Sequence, residues 1–440
     1  MTASTSIPSA LTPTPTPTPI PPAPVPGRTP LGTGRLLAGT RDGRVGFDAH
    51  LARSGYPRHR DLAWLCDASR RVGLRGRGGA GFPVAEKLAA IRPGRSVQVL
   101  VNGSESDPTS WKDRTLMRQA PHRVIDGALI AAAALNTDSI TVVTHDEPSA
   151  DSLWQACAER ADAGSVDIRV VGGGFVAGES HAVIAGLNGA HPTPPGRHVS
   201  ATRRGIGGAP TFAANVETVA QLGLLAELGV ERFAELGSGG EWGTVLLTLS
   251  GAVASPGVVE VATNTPLLAL LGGRAPGSRS PRPVLLGGYH GRWIGEETTR
   301  LDHDSLAARG LDRGVGSITV LPPHTCALGE IARVAHWLAD RSAGQCGPCV
   351  FGLRALADDF SAFYYGEPRD LDAIRRRLGL VAGRGSCHHP DGAVGFLGSA
   401  LGMLGAEIDR HRRGGCGRDV LGILPVPDTN DHQDGADHGR

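Results

Sequence analysis

The sequence predicts an α/β protein: a parallel sheet flanked by helices, followed by a small β-grasp-like domain and a helical bundle that gathers cysteines. Three observations carry this. Short β-branched runs alternate with helix-length segments up to about residue 240. A strand, turn, strand, helix, strand order follows from 241 to 312, and five of the seven cysteines fall in the mostly helical stretch beyond it. At 440 residues the chain has material for two or three cores of ~100–200 residues each.

Taken in order, residues 1–30 carry Thr12-Pro13-Thr14-Pro15-Thr16-Pro17, whose prolines remove backbone donors and favour an extended tail. Residues 31–240 form the α/β domain, with strands expected at 96–101, 139–143 and 166–171 and helices at 123–135 and 149–163. Residues 241–312 form the β-grasp-like domain. Its strands are expected at 244–251, 258–261 and 283–286, with a turn at Pro256-Gly257 and a short helix at 266–271. Residues 313–426 form the bundle, with helices at 328–339, 352–363, 371–380 and 394–412, and residues 427–440 a second polar tail.

A net charge of +1 excludes broad electrostatic attraction to nucleic acid or anionic lipid. The most apolar run, Ala128 to Leu135, is eight residues, against the ~18 of a membrane span. Seven unevenly spaced cysteines do not make a disulfide framework, and the N-terminus lacks the basic start and apolar run of a secretory signal. A reducing, cytoplasmic setting with metal-binding thiols is expected. Of the 44 basic residues only Lys87 and Lys112 are lysine, and both lie in motifs.

The first motif is Gly73-Leu74-Arg75-Gly76-Arg77-Gly78-Gly79-Ala80-Gly81-Phe82-Pro83, ahead of a helix carrying Lys87. Dense glycines admit an anion to backbone N–H groups, the helix terminus adds partial positive charge, and Lys87 adds a point charge, so a phosphate suits this loop. Three further polar or glycine-rich turns are Asn102-Gly103-Ser104-Glu105-Ser106-Asp107-Pro108, Gly172 to Ser180, and Ala214-Asn215-Val216-Glu217-Thr218. The first two leave expected strands where open α/β sheets bind ligands.

The glycine loop, Lys112-Asp113-Arg114, Asn215-Val216-Glu217-Thr218 and Gln345-Cys346-Gly347-Pro348-Cys349 together resemble the NADH-binding flavoprotein subunits of respiratory complex I. The same family includes the diaphorase subunits of NAD-linked hydrogenases and formate dehydrogenases. The resemblance runs from about residue 33 to 415 and implies an FMN-binding Rossmann-like domain, an SLBB-like β-grasp domain and a bundle holding one [4Fe–4S] cluster. It implies that NADH passes a hydride to FMN, which hands single electrons to the cluster and on to a partner. That partner would be a ferredoxin-like or thioredoxin-like iron–sulfur subunit, or a membrane reductase at the inner face of the membrane.

The resemblance implies that Gly76, Gly78, Gly79, Lys87, Asn102, Glu105, Gly178, Glu179, Asn215 and Thr218 hold FMN, with Phe82, Asp107 and Phe175 on the nucleotide side. Several family positions differ: Ser104 and Ser180 replace carboxylates, and Ala90 and Gly196 replace aromatics. A base–aromatic stack contributes ~1–3 kcal/mol, so FMN is better supported than NADH. Alternatives are a diaphorase with another donor, and a non-catalytic scaffold or β-grasp binding module.

Cys346-Gly347-Pro348-Cys349 places two thiolates on one centre, and Cys387 matches the distant ligand. Ala343 stands at the family's first ligand position, leaving three cysteines for four irons. Cys326 is the expected replacement, with Cys416 or His388 as alternatives. A three-ligand [3Fe–4S] cluster, zinc, or metal-free thiols remain as other readings.

Overall fold

The structure, a computed structural model, describes residues 34–196, 199–238, 240–272, 282–296 and 299–427. The tails expected at 1–30 and 427–440 lie outside them, Pro427 excepted.

The first section contains α1 (Phe47–Ser54), α2 (Leu62–Arg71), α3 (Val84–Ala89), β1 (Gln98–Asn102), α4 (Lys112–Gln119), α5 (Pro121–Ala134), β2 (Ile140–Thr144), α6 (Glu147–Ala158), β3 (Val166–Val170), α7 (Ser180–Leu187), β4 (Thr211–Asn215) and α8 (Val216–Phe233). Its four strands are parallel in the order β3-β2-β1-β4. The chain builds outward from β1 to β3 and then returns to the other side of β1. The order therefore reverses between β1 and β4, and ligands bind at such a switch point, outside the carboxyl ends of the strands. β4 goes beyond the strands that the sequence predicts, because Thr211-Phe212-Ala213-Ala214-Asn215 has little β-branched character.

Helices α5 and α8 cover the sheet with a close crossing. A Cβ on Gly127 would run into the Val219 carbonyl, and one on Gly223 would sit 2.9 Å from the Gly127 Cα. Glycine on both helices lets the backbones touch, and Val99, Val101, Val124, Ala128, Val219 and Leu222 pack into the core around them.

The second section holds β5 (Gly237–Ser238), β6 (Glu241–Trp242), β7 (Thr244–Gly251), β8 (Gly257–Ala262), α9 (Leu267–Leu270), β9 (Val284–Leu286), β10 (Arg292–Ile294), α10 (His303–Ala307) and β11 (Ser317–Val320). Five of these strands form a sheet in the order β10-β9-β11-β7-β8, with β11 parallel to β7 and the other neighbours antiparallel. This is the expected β-grasp-like arrangement, but its sheet runs to Val320, past the boundary drawn at 312.

The bundle contains α11 (Ala327–Asp340), α12 (Arg354–Tyr364), α13 (Leu371–Val381), α14 (His389–Met403) and α15 (Gly405–Arg412), with a π-helical stretch, Pro348–Leu353, leading into α12. The single helix expected at 394–412 is two, breaking at Leu404. Among the described residues no helix is long and apolar enough to cross a membrane.

A candidate flavin pocket and thiol cluster

Asn102 and Asn215 are register partners at the carboxyl ends of β1 and β4, the two walls of the switch point. Both side chains fix loops there. Asn215 caps α8 by accepting from the Glu217 N–H at 3.0 Å, and the Asn102 amide donates to the Gly178 carbonyl at 2.9 Å. The glycine loop lies over this crevice. A Cβ on Gly78 would come 3.2 Å from the Asn215 Cβ, and Gly79 has φ of 112°, which favours glycine. Thr218 accepts the Arg77 N–H at 2.8 Å, tying the loop to the first turn of α8.

Lys87, on α3, donates to the Ala213 carbonyl at 2.8 Å. Burial lowers its pKa. A half-buried ammonium beside the glycine loop and the middle of β4 fits a phosphate. Phe82 is 51% exposed and its ring centroid lies 5.9 Å from the Lys87 Nζ, leaving an aromatic face at the same mouth.

Glu105 is buried and accepts from the Ser110 hydroxyl at 2.6 Å and from the Asp113 and Arg114 N–H groups, both at 3.1 Å. It therefore anchors the start of α4. Lys112 is buried between Asp113 at 2.6 Å and Glu217 at 3.0 Å. Burial works against its charge, but these carboxylates overcome it and hold the ammonium protonated.

Arg77 carries no signal of its own in the sequence, where the glycines on either side mark the loop instead. Its guanidinium leaves the loop and enters a buried joint, pairing with Glu241, and its Nε lies 3.9 Å from Glu217. Arg313 completes the joint, donating to the Glu241 Oε2 at 2.7 Å. Burial alone would raise the Glu241 pKa, but Arg77 and Arg313 outweigh it and bring it down to about 2. A narrow cleft of about 40 Å³ runs along this β-grasp side of the loop, bordered by Arg75, Gly79, Leu306 and Gly316.

Two residues expected on the nucleotide side are engaged elsewhere. Asp107 is buried and accepts from the Thr109 N–H and hydroxyl and from the Tyr289 N–H, at 2.9, 2.7 and 2.7 Å. It acts as a latch to the β-grasp domain. Phe175 is held edge-on by His290, Trp337 and His389 at centroid distances of 4.8, 5.0 and 5.6 Å. Its ring packs on the bundle core because the apolar bundle face offers more contact than an open cleft. Glu179 caps α7, accepting from the His181 and Ala182 N–H groups at 2.9 and 3.2 Å, and Ser180 is the first residue of that helix.

Cys346, Cys349 and Cys387 come together where this pocket meets the bundle. Burial, with Cys346 and Cys387 nearby, pushes the Cys349 thiol up to about 12. Burial works against Cys346 as a thiolate as well, yet hydrogen bonds with Ser386 and Cys349 bring its pKa down. A Cβ on Gly196 would sit 3.4 Å from the Ser386 Cβ, so the loop after α7 touches the segment carrying Cys387. Cys387 is raised by burial foremost and also by Glu179, which brings the flavin side close to the thiols.

Cys326 does not complete this set. It is buried at the start of α11, with its Sγ 3.3 Å from the His411 Nε2, and it interacts with Cys416 rather than with the three thiols. The α11 N-terminus faces α15 and the C-terminal strap, a direction that spacing along the chain does not reveal. The His388 side chain, next to Cys387 in the sequence, is 98% exposed. The residues present thus offer three thiols, Cys346, Cys349 and Cys387, to a cluster.

The Nuo51 FMN-binding domain model matches residues 69–223, and the NADH-ubiquinone oxidoreductase-F iron-sulfur binding region matches residues 329–411. An NADH-quinone oxidoreductase F protein of Rhizobium meliloti (strain 1021) is 30% identical over 372 residues, covering 79% of this chain and 88% of the relative. Its counterpart in Streptomyces coelicolor is 30% identical over 372 residues, covering 79% and 83%. In solved structures, a chain of the air-oxidized NAD+-reducing [NiFe]-hydrogenase superposes with a TM-score of 0.71 at 24% identity, covering 82% of this chain and 65% of that one. That likeness is one of fold.

Proposed function

The chain belongs to the NADH-quinone oxidoreductase F family, and on that premise we propose that its switch-point crevice takes electrons from a reduced nicotinamide nucleotide and its thiol cluster delivers them to a partner protein. It is a flavin- and iron–sulfur-dependent electron-transfer oxidoreductase subunit with FMN- and [4Fe–4S]-binding regions. FMN and the cluster, when bound, supply the conversion from two-electron to one-electron traffic.

The chain's own residues bind and orient. Lys87 and the amides around Gly76, Gly78 and Gly79 hold the phosphate end. Asn102, Glu105, Gly178, Glu179, Asn215 and Thr218 build the walls, chiefly by fixing one another's loops. Cys346, Cys349 and Cys387 would hold three irons, and the fourth corner takes a ligand other than Cys326. Phe351, 75% exposed two residues beyond Cys349, supports an exit face for a partner of the ferredoxin-like or thioredoxin-like iron–sulfur kind, through which the chain would act at the inner face of the membrane.

The observation that carries this reading is the contact between the loop after α7 and the Cys387 segment, which joins the flavin side to the thiols. The test is an anaerobic NADH titration followed by visible absorption. Bleaching of both flavin and iron–sulfur bands is expected. A second reading, another electron donor, is favoured by Ser180 in place of a carboxylate and by the engagement of Asp107 and Phe175. Bands that bleach with dithionite but ignore NADH would select it. Replacing Cys349 with Ser should remove most of the iron, whereas Cys326→Ser should leave iron content and the paramagnetic spectrum unchanged.

A further inference from the structure

Cys326, Glu407, His411 and Cys416 converge at the far end of the bundle, with one ligand atom from each lying within 4.8 Å of the others. Glu407 and His411 are four residues apart on α15 and share one face. Cys326 is the N-cap of α11. Cys416 follows Gly414 and Gly415 and precedes Gly417, with φ of 113°, 106° and 66°, a path that curls the thiol back towards the helices.

The geometry suits a cation. The His411 Nδ1 lies 2.6 Å from the Tyr364 carbonyl, and the ring turns its Nε2 towards the Cys326 Sγ at 3.3 Å, in the way an oriented metal ligand is held. The Glu407 Oε2 accepts from Arg410, and from Arg418 at 3.4 Å. Its Oε1 is buried without a hydrogen-bond partner among the described residues, in a side chain only 5% exposed, and lies 4.0 Å from the His411 Nε2.

A simple thiol-to-imidazole hydrogen bond would satisfy Cys326 and His411 but leave the Glu407 oxygen orphaned. We propose that Cys326, Glu407, His411 and Cys416 form a second metal centre, separate from the iron–sulfur thiols, that binds one zinc ion. A tetrahedral zinc with these donors needs neighbouring ligand atoms roughly 3.3–3.8 Å apart, a contraction the glycine-flanked Cys416 can supply. Two thiolates and one carboxylate leave a net charge of about −1 on a zinc site, which Arg410 and Arg418 offset from the outer oxygen. Mixed sulfur, imidazole and carboxylate donors suit zinc over the all-thiolate preference of iron–sulfur clusters.

The centre is structural. Beside it, the Cys326 N–H donates to the Asp419 carbonyl at 2.8 Å. Glu330 accepts the N–H groups of Gly422, Ile423 and Leu424 at 2.7, 3.1 and 3.2 Å. Zinc would pin the base of this strap to both α11 and α15.

The test is zinc and iron analysis of the full-length protein, purified anaerobically with its cofactors. About one zinc per chain is expected in addition to iron. Cys416→Ala, in a half-exposed loop, should lose at least ten-fold in zinc while keeping its iron. As a readout independent of the variant, Co2+ exchanged into the wild type should give tetrahedral ligand-field bands and a thiolate charge-transfer band. Wild type without zinc after Zn2+ reconstitution, zinc retained in Cys416→Ala, iron lost in step with zinc, or a Cys326–Cys416 disulfide would each overturn the proposal.

Discussion

Glu241→Gln tests the joint that anchors the glycine loop. The substitution keeps the volume and hydrogen-bonding shape but leaves the Arg77 and Arg313 guanidinium groups buried without their shared carboxylate. Breaking a buried pair from one side costs ~3–5 kcal/mol. The displacement of the Glu241 pKa from 4.5 to about 2 gives a comparable figure of about 3 kcal/mol. Because the folded pKa is depressed, this stabilisation is fully present above pH 4.5 and fades as the pH falls towards 2. At pH 3.5 roughly 1.4 kcal/mol of it should already be gone. The assay is guanidinium unfolding of wild type and Glu241→Gln from pH 7 to pH 3.5. The gap between them should be about 3 kcal/mol at pH 7 and narrow by nearly half at the acid end. A gap below ~1 kcal/mol, or one that ignores pH, would refute the assignment of Glu241 as the charged centre of the joint.

Other positions give independent checks. Lys87→Met should weaken FMN binding about 10- to 100-fold, the loss of one charge-assisted contact, without lowering the thermal stability of the apoprotein; fluorescence titration and calorimetry read the two effects. Gly127→Ala should cost about 3 kcal/mol in denaturant unfolding, because the Val219 carbonyl in its path belongs to α8. Ser180→Glu places a carboxylate in the first turn of α7, where the helix tolerates it, and should lower the KM for NADH about ten-fold in a dye-reduction assay.

The strands β1, β2, β3 and β7 are legible because β-branched residues concentrate there, and the loop that lies over the crevice is legible from glycine density and a rare lysine. β4 is not, since its alanines carry no strand signal and its identity comes from pairing with β1. Asn215 can be named as a site residue, but its register with Asn102 needs the sheet. Cys346 and Cys349 pair by motif spacing, and Cys387, named from the resemblance, lies near them in the structure. Cys326 does not, because sulfur content along the chain says nothing about which way the start of a helix faces. Asp107 and Phe175 look the same in sequence whether they face a ligand or a neighbouring domain, and packing decides for the neighbour. Arg77 and Glu241 are 164 positions apart, beyond the reach of any local pattern.

The scarcity of lysine has a chemical corollary. The chain has no side-chain amines besides Lys87 and Lys112, and the second is sealed between carboxylates. Its cationic exterior is therefore guanidinium, inert to acylating reagents under mild conditions. An amine-directed label on the folded protein has one partly open lysine to find, and that lysine stands between β4 and the Phe82 ring of the glycine loop. Acylation of Lys87 thus becomes a footprint of occupancy: fast in the empty protein, suppressed when a phosphate-bearing ligand covers the ammonium.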